Sequence, residues 1–453
     1  MIDTLEPTPT LEKDFTFTER IAAAHEHAAL HTNGHPEAFR DLRERARAAF
    51  DALGIPGRKD EAWKYTNIER ALRHDYALLD PDAAAVSAED VADLRIEGLD
   101  ASTLVVVNGV VDLGLSDLGA LPDGVTVGSL REAGESVHAQ AVQRAFGQYA
   151  NAEEDAFIAL NTSFELDGVF LQVERGVTVE RPVQIIHVTD ADRDAFVQTR
   201  NLYLFGENCE ALVVETYHSA GGAKTFGNRV SEIVVEREAR ASVLQLQTEG
   251  ADASQVNTLQ VYQEEKSYFA AHTYTLGGAL VRNNINAVPN GEHCETHLYG
   301  LYILDGQQHV DNHTLVDHAK PNCFSNELYR GIVDDRSTGV FNGKVFVRRD
   351  AQQTNAYQSS QGVVLSDSAS HHSKPELEIY ADDVKCSHGS TTGEVEPEHV
   401  FYLRSRGLSE QQAKSLLLYA FAHDIVTELP HEALRTYLDD LIEVRLNAQL
   451  LRD

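Results

Sequence analysis

The sequence predicts a mainly β protein with α-helical ends. Apolar residues recur at helical spacing over roughly the first 95 residues, and helical spacing returns after residue 396. Between these parts, short β-type runs follow one another with turn residues between them. Because no helical patterns separate these runs, a doubly wound α/β sheet is excluded.

The N-terminal part is predicted to hold two helices. His35-Pro36 places a proline at the first position of a helix. The apolar stripe of this helix and its terminating glycine are Phe39, Leu42, Ala46, Phe50, Leu53 and Gly54. Asp60 is expected to cap a short second helix that carries Trp63, the only tryptophan. An Ala/Asp-rich linker is predicted at residues 80–91.

The central part is predicted to be all β from residue 102 onward. Asn108-Gly109 lies between runs 103–107 and 110–112, which is a strong hairpin signal. A parallel solenoid could accommodate nearly 300 residues of short strands more easily than one sandwich, but no repeat of fixed length is visible. Periodicity alone leaves both folds open. The further predicted strands are 169–173, 177–179, 183–188, 202–205, 211–215, 233–235, 242–247, 258–262 and 298–304.

The C-terminal part is predicted to be helical again. One helix spans residues 397–406 and ends at Gly407, and Ser409 with Gln412 forms a capping box for the next. The simplest interpretation of the apolar stripes that follow is packing against each other or against the β-region. These stripes are Ala413, Leu416, Leu417, Ala420 and Phe421, then Leu434, Tyr437, Leu438, Leu441 and Ile442.

Bulk composition indicates a soluble cytoplasmic protein. The 453 residues are 42% hydrophobic and 24% charged, and a chain of this length is expected to form two or three domains. No apolar run is long enough to span a bilayer, and the first residues lack the features of a secretory signal. Four cysteines are too few for a disulfide framework and fit a reducing compartment.

The net charge of −33 argues against nucleic acid as a partner, because phosphate backbones are bound through cationic contacts. Residues 339–344 partly match the sequence pattern of a phosphate-binding loop. The two glycines are one residue too close, and Val345 replaces the Ser/Thr that would hold magnesium. The chain is therefore expected to have no intrinsic nucleotide site, and any ATP hydrolysis would come from a partner.

Several histidine groups could be considered as metal sites. In a strand, His293, Glu295 and His297 would share a solvent-facing side while Cys294 points away. His371-His372 is predicted to be a polar loop. His309, His313 and His318 could also be drawn as a metal site, but no ligand role is assigned to them.

One thiol and one imidazole lie two residues apart near the end of the β-region. Cys386 and His388 would point to the same face if residues 384–390 are extended. Both groups can bind transition metals. A free cysteine is also a common small core residue, and a histidine can simply satisfy a turn. From the spacing alone, a ligand pair and a structural pair both remain open.

Three segments resemble the Suf iron–sulfur cluster assembly scaffold family, which comprises B and D subunits. The resemblance covers most of the chain and is strongest from about residue 300 to 421. It implies a right-handed parallel β-helix core at 96–395, flanked by helical domains at 1–95 and 396–453. The segments are RKDEAWKYTN at 58–67, HVDNHTLVDHAKPNCFSNELYRGIVDDRSTGVFNGKVFVRRDAQQTNAYQ at 309–358 and PELEIYADDVKCSHGSTTGEVEPEHVFYLRSRGLSEQQA at 375–413.

Two positions favour the D subunit over the B subunit. Gly389 follows His388 where B subunits have a glutamate, and Ser359 follows Gln358 where B subunits have a cysteine. The resemblance therefore implies a SufD-like chain that lacks this carboxylate and this thiol but keeps the imidazole.

The resemblance also implies partners and site residues for a non-enzymatic subunit of a SufBCD-type complex. His388 would be an iron ligand, with Cys386 beside it, for a nascent, transient iron–sulfur cluster shared with a SufB-like subunit. The C-terminal helices would dock a SufC-like ATPase, with Tyr402, Arg404 and Arg406 as candidate contacts. A homodimer is an alternative assembly for the isolated chain.

Three other functions compete with this one. They are a diverged SufB-like subunit, a homo-oligomeric iron–sulfur scaffold and a β-helix enzyme acting on polysaccharides. The enzyme would need paired carboxylates or a calcium cluster on one face of the solenoid. Asp and Glu number 71 in this chain, so their presence alone does not discriminate.

Overall fold

The computed structural model describes residues 17, 19, 21, 39–78, 85–164 and 167–450. Within these residues, the strands form two sheets of ten strands each, and consecutive strands of the central region alternate between the sheets. One strand of each sheet therefore makes up one turn of a parallel β-solenoid, with helices at both ends. The predicted mainly β fold with helical termini is confirmed, and the solenoid is correct rather than the sandwich.

The strands and helices are numbered in chain order. The helices are α1 (Arg40–Leu53), α2 (Ile68–Ala71), α3 (Ala88–Asp93), α4 (Leu130–Ala133), α5 (Ala139–Ala145), α6 (Ala156–Phe164), α7 (Pro397–Ser405), α8 (Glu410–Val426) and α9 (Glu432–Leu450), with a 3-10 turn at Glu61–Trp63. The strands are β1 (Ala77–Leu78), β2 (Ser102–Val107), β3 (Val110–Asp117), β4 (Val125–Ser129), β5 (Val169–Val173), β6 (Val183–Asp190), β7 (Ala195–Phe205), β8 (Glu210–Ala220), β9 (Thr225–Val235), β10 (Arg240–Gln247), β11 (Ala253–Gln263), β12 (Tyr268–Thr275), β13 (Leu280–Pro289), β14 (Glu295–Leu304), β15 (His309–His318), β16 (Phe324–Val333), β17 (Thr338–Val347), β18 (Asn355–Val364), β19 (Ser370–Ile379) and β20 (Lys385–Gly393).

The first sheet runs β19-β17-β15-β13-β11-β9-β7-β5-β4, with β1 beside β7, and the second runs β20-β18-β16-β14-β12-β10-β8-β6-β2-β3. The β2–β3 and β4–β5 pairs are antiparallel. Asn108 and Gly109 both have positive φ, 51° and 87°, as a tight hairpin turn requires. The predicted hairpin is therefore confirmed.

The strand register explains why no repeat is visible in the sequence. Neighbouring strands of the first sheet are offset by 26 residues between Ser254 and Leu280, but by 32 residues between Thr338 and Ser370. Because the length of a turn varies, equivalent positions drift relative to any fixed sequence period.

One corner of the solenoid has the same backbone conformation in successive turns, although the residue types that adopt it differ. In six successive turns a non-glycine residue has φ between 56° and 63°, and the residue after it is small and buried. Three of the four cysteines occupy this interior corner, which makes them core residues. The pairs are Asn208-Cys209, Glu238-Ala239, Lys266-Ser267, His293-Cys294, Asn322-Cys323 and Gln353-Thr354.

The N-terminal helices pack against the first sheet. Phe50 of α1 and Phe157 of α6 are buried with Trp63 in one apolar cluster. The Arg282 guanidinium of β13 lies 3.9 Å from the centroid of the Trp63 ring and is paired at 2.7 Å with the carboxylate of Asp311 on β15. The N-terminal segment is thus held on the solenoid by both apolar packing and a cation–π contact.

Two details of the N-terminal prediction are wrong. The Asp60 carboxylate accepts a hydrogen bond from the backbone N–H of Gly57 at 2.7 Å, and it does not cap the 3-10 turn that follows. The predicted linker ends too late, because Ser87 and Asp90 form a capping box that starts α3. Residues 79–84 of that linker, and His35-Pro36, lie outside the described residues. The helix predicted to end at Gly54 is confirmed.

Helices α4 to α6 fall within the range 96–395 that was assigned to the core. They connect the β2–β3 hairpin to the solenoid turns. The domain boundaries at 95 and 395 stay a prediction.

The C-terminal helices α8 and α9 pack on the second sheet. The capping box of Ser409 and Gln412 is present at the start of α8. Leu418 and Ile425 of α8 and Leu438 of α9 are buried in one cluster with strand residues such as Leu301. The packing role is confirmed for α9, where Leu434, Leu438 and Ile442 are buried. The stripe predicted for α8 is wrong in part, because its buried face is Ala413, Leu418, Ala422 and Ile425, whereas Leu416 and Ala420 are exposed. None of the helices in the described part of the chain combines the length and apolar character that crossing a bilayer requires.

Candidate functional site

The C-terminal end of the solenoid is an open edge. β19 pairs with β17 and β20 pairs with β18, and within the described residues no strand pairs with their other sides. Nearly all of β20 is exposed, and Tyr380, just after β19, is 57% exposed. The edge therefore presents backbone N–H and C=O groups that are free to pair with another strand. We refer to β19 and β20 as the open edge.

Cys386 and His388 lie on the inner face of β20. On β18, Ala356 and Gln358 are buried while Tyr357 is exposed, so the even-numbered positions point into the solenoid. The register places Cys386 beside Ala356 and His388 beside Gln358. The condition set for a shared face, an extended segment, is met because β20 spans Lys385–Gly393. His388 is exposed because no further turn covers it.

A column of polar side chains continues from His388 into the solenoid. Glu327 of β16 is in register with Gln358, and the Gln358 amide donates a hydrogen bond to the Glu327 carboxylate at 3.2 Å. The hydroxyl of Thr314 donates to the other oxygen of this carboxylate. Burial raises the pKa of Glu327 from 4.5 to about 7. This column is not visible in the sequence, because only the strand register shows that residues 327, 358 and 388 lie side by side in successive turns.

Cys386 has a more structural environment than His388. Its side chain is half-buried and packs with Leu377 and Val384 around a small apolar cluster that contains Ala356. Burial raises the pKa of its thiol, which disfavours the thiolate that would bind a metal. In the isolated chain, Cys386 is therefore best described as a packing residue at the rim of the open edge.

The chain by itself does not form a complete metal site at this place. Among the described residues, no three His, Cys, Asp or Glu side chains come together in a way that could hold a metal ion. His388 and Cys386 could supply two ligands at most, and an iron in a cluster is four-coordinate. The remaining ligands would have to come from a second chain or from the sulfides of the cluster.

A second exposed surface lies on α7, directly after β20. Phe401 is 73% and Tyr402 is 56% exposed. Arg406 follows the end of α7 and lies 5.2 Å from the centre of the Tyr402 ring, while Arg404 is paired with Glu410 at 3.3 Å. Tyr402 and Arg406 thus form one exposed pair, whereas Arg404 is exposed but makes its contact with Glu410 instead. We call Phe401, Tyr402, Arg404 and Arg406 the α7 surface.

The other motifs have structural explanations. Residues 339–344 lie in β17, so they form no phosphate loop. Cys294 is buried and Glu295 is exposed, as predicted, but His293 is a turn residue with a φ of 60° rather than part of the strand. His297 is half-buried against Tyr268.

The prediction that His371 and His372 form a polar loop is wrong, because both lie in β19. His371 is hydrogen-bonded at 2.8 Å to the hydroxyls of Tyr302 and Thr392. His372 faces the other way and stacks on Tyr65, with 4.6 Å between ring centroids.

Two family models match this chain. The one described as "SUF system FeS cluster assembly, SufBD core domain" matches residues 187–421, which is more than half of the chain. The one described as "SufBD protein N-terminal region" matches residues 20–185. The chain belongs to the SufBD family.

Relatives within the SufBD family match nearly the full length. The SufD iron–sulfur cluster assembly protein of Escherichia coli is 30% identical over 407 residues, covering 89% of this chain and 91% of that protein. A SufBD family protein of Synechocystis is 30% identical over 416 residues, with the same shares covered. The SufD protein of Bacillus subtilis is 27% identical over 301 residues, covering 64% and 67%. This chain is thus an iron–sulfur cluster assembly protein of the SufBD family.

Proposed function

We propose that this chain is a SufD-like, non-enzymatic scaffold subunit that joins a SufB-like subunit through the open edge. The observation that carries the proposal is that two strands of 10 and 9 residues, β19 and β20, end the solenoid without a covering element. A long exposed edge invites pairing with another strand and is normally covered in a soluble protein. A second solenoid with the same kind of edge would continue both sheets across the interface.

In this assembly His388 would supply one ligand to the iron–sulfur cluster that is built at the interface. Imidazole is a suitable ligand for iron, and the side chain points into the space that a second solenoid would enclose. The cluster is cargo, shared with the SufB-like subunit and then passed on. Enclosure between two solenoids would keep water and oxygen from it.

The α7 surface would dock a SufC-like ATPase. Aromatic residues and arginine are the types that most often carry binding energy at protein interfaces, and Phe401 and Tyr402 are strongly exposed here. Because α7 begins four residues after β20 ends, a movement of α7 would be transmitted directly to the open edge. We expect the complex to work in the cytoplasm.

The test is co-purification with the SufB-like and SufC-like partners, followed by anaerobic cluster reconstitution. In the complex that contains His388→Ala, we expect intact assembly and a loss of cluster absorbance. The matched control is Ser387→Ala, because Ser387 is equally exposed but points to the opposite face of β20.

The outcomes separate the two parts of the proposal. Full cluster loading by the His388→Ala complex would contradict the ligand role and leave the scaffold role standing. Failure of the wild-type chain to bind a SufB-like partner would contradict the assembly itself.

A further inference from the structure

A large cleft lies on the outside of the solenoid, away from the inner face of β20. Its volume is about 1100 Å³. One wall is the N-terminal segment from Arg58 to Tyr76, and the other consists of turns that lead from the second sheet to the first, such as 248–254 and 305–309. Arg445 of α9 closes one side. The cleft is therefore built from three separate parts of the chain.

The charge of this cleft is opposite to that of the whole molecule. The chain has 38 Lys and Arg against 71 Asp and Glu, a net charge of −33. The cleft has six lysines and arginines against three carboxylates, Glu249, Asp252 and Asp305. A reversal of this kind concentrates anions locally although the whole molecule repels them. The six cations are Arg58, Lys64, Arg70, Lys224, Arg336 and Arg445.

The carboxylates of the cleft do not neutralise most of these cations. Glu249 is paired with Arg229 inside the solenoid at 3.0 Å, and Asp305 is paired with Arg445 at 3.0 Å. Within the described residues, Arg58, Arg70 and Arg336 form no ion pair, and all three are exposed. These three arginines therefore have guanidinium groups that are available to an anion entering the cleft.

Two histidines line the cleft beside these cations. The Nε2 of His74 lies 3.5 Å from the ammonium of Lys224. Burial is the main cause that lowers the pKa of His74, and Lys224 adds to it while Asp194 and Asp252 oppose it. Burial is also the main cause that lowers the pKa of His309, where Asp311 opposes the shift and Arg58 of the cleft contributes to it. Both imidazoles are therefore favoured in the neutral form, in which each can donate or accept a hydrogen bond at the cleft wall.

We propose that this cleft binds a small anion that carries at least two phosphate groups. Arginine predominates over lysine here, and its planar guanidinium matches phosphate oxygens with two parallel hydrogen bonds. The volume is slightly above the usual range for small-molecule sites, which is about 300–1000 Å³. Tyr65 and His372, which stack on each other, also line the cleft. A nucleotide bound here would be contrary to the expectation of no intrinsic nucleotide site. That expectation was based only on the lack of a phosphate loop.

The experiment is titration calorimetry of the isolated full chain with pyrophosphate and, separately, with ADP, in physiological salt. We expect saturable binding of pyrophosphate, and tighter binding of ADP would identify a nucleotide as the source of the phosphates. The variant Arg58→Gln/Arg70→Gln/Arg336→Gln should bind pyrophosphate at least roughly 100-fold more weakly, since each lost charged contact weakens binding by roughly tenfold.

The matched control removes three exposed arginines outside the cleft, in the variant Arg131→Gln/Arg144→Gln/Arg349→Gln. It lowers the net charge equally and should bind within about twofold of the wild type, apart from long-range effects that salt screens. No saturable binding by the wild type would overturn the proposal, as would equal losses in both variants. Because the titration uses the chain alone, its outcome is independent of the proposed assembly with a SufB-like subunit.

Discussion

The interior turns of the solenoid and its last turn have the same strand geometry but differ in what covers them. Gln358 of β18 is 3% exposed and is hydrogen-bonded to Glu327 in the turn behind it, whereas His388, the next residue of the same column, is exposed. Repeat proteins normally close their ends with capping elements. Since α8 and α9 pack on the face of the second sheet, they leave the open edge uncovered. This contrast is the basis for the proposal that the last turn pairs with a partner subunit.

Substitutions in the interior turns should cost more unfolding free energy than substitutions in the last turn. Phe341 of β17 is fully buried and its ring lies 4.7 Å from that of Tyr329, so Phe341→Ala should lower the free energy of unfolding by about 3–5 kcal/mol. Leu377 of β19 is only half-buried, and Leu377→Ala should cost less than about 2 kcal/mol. Urea unfolding of the isolated variants measures both. Equal losses would mean that the last turn is packed as tightly as the interior.

A second prediction concerns the pH dependence of stability that the buried carboxylate of Glu327 causes. Glu327 has its pKa raised from 4.5 to about 7 by burial, so the protonated form is favoured in the folded state. Its contribution to stability is fully present below pH 4.5 and is lost as the pH rises through about 7. Glu327→Gln lacks this titration. The stability of the wild type relative to the variant should therefore fall by up to about 3 kcal/mol between about pH 4 and about pH 8.

The measurement is a comparison of urea midpoints for wild type and Glu327→Gln across that pH range. Glu376→Gln is a suitable control, since Glu376 lies in the last turn and is partly exposed. A wild-type curve parallel to that of Glu327→Gln would show that the carboxylate is already hydrated in the folded chain.

A third prediction concerns the reactivity of the thiols rather than stability. Cys209, Cys294 and Cys323 are at most 1% exposed, whereas Cys386 is half-buried at the open edge. A maleimide should label Cys386 in the native isolated chain, slowly because burial raises the pKa of its thiol. The other three thiols should react only after unfolding. Mass spectrometry of the labelled peptides measures this reaction. Fast labelling of an interior cysteine in the folded chain would contradict the structure.

Local signals in the sequence were sufficient for several elements. The Asn108-Gly109 turn predicted the β2–β3 hairpin, and the pair Ser409 and Gln412 predicted the start of α8. Both depend on short-range hydrogen bonds that a few adjacent residues determine. The shared face of Cys386 and His388 is expected only on the condition of an extended segment, which β20 provides from Lys385 onward.

Long-range register could not be predicted in the same way. The solenoid corner is made by residues such as Glu238, Lys266 and Gln353, which adopt positive φ without being typical turn residues. Turn lengths between 26 and 32 residues conceal which side chains stack. The polar column under His388 and the arginine cleft both depend on this register, so each becomes visible only in the folded chain.

The most direct test of the account is hydrogen–deuterium exchange on the chain alone and in complex with a SufB-like subunit. We expect the amides of β19 and β20 to gain the largest protection in the complex, since they would pair with strands of the partner, while β17 and β18 change little. Protection confined to another surface, with β19 and β20 exchanging as in the isolated chain, would contradict the assignment of the open edge as the interface.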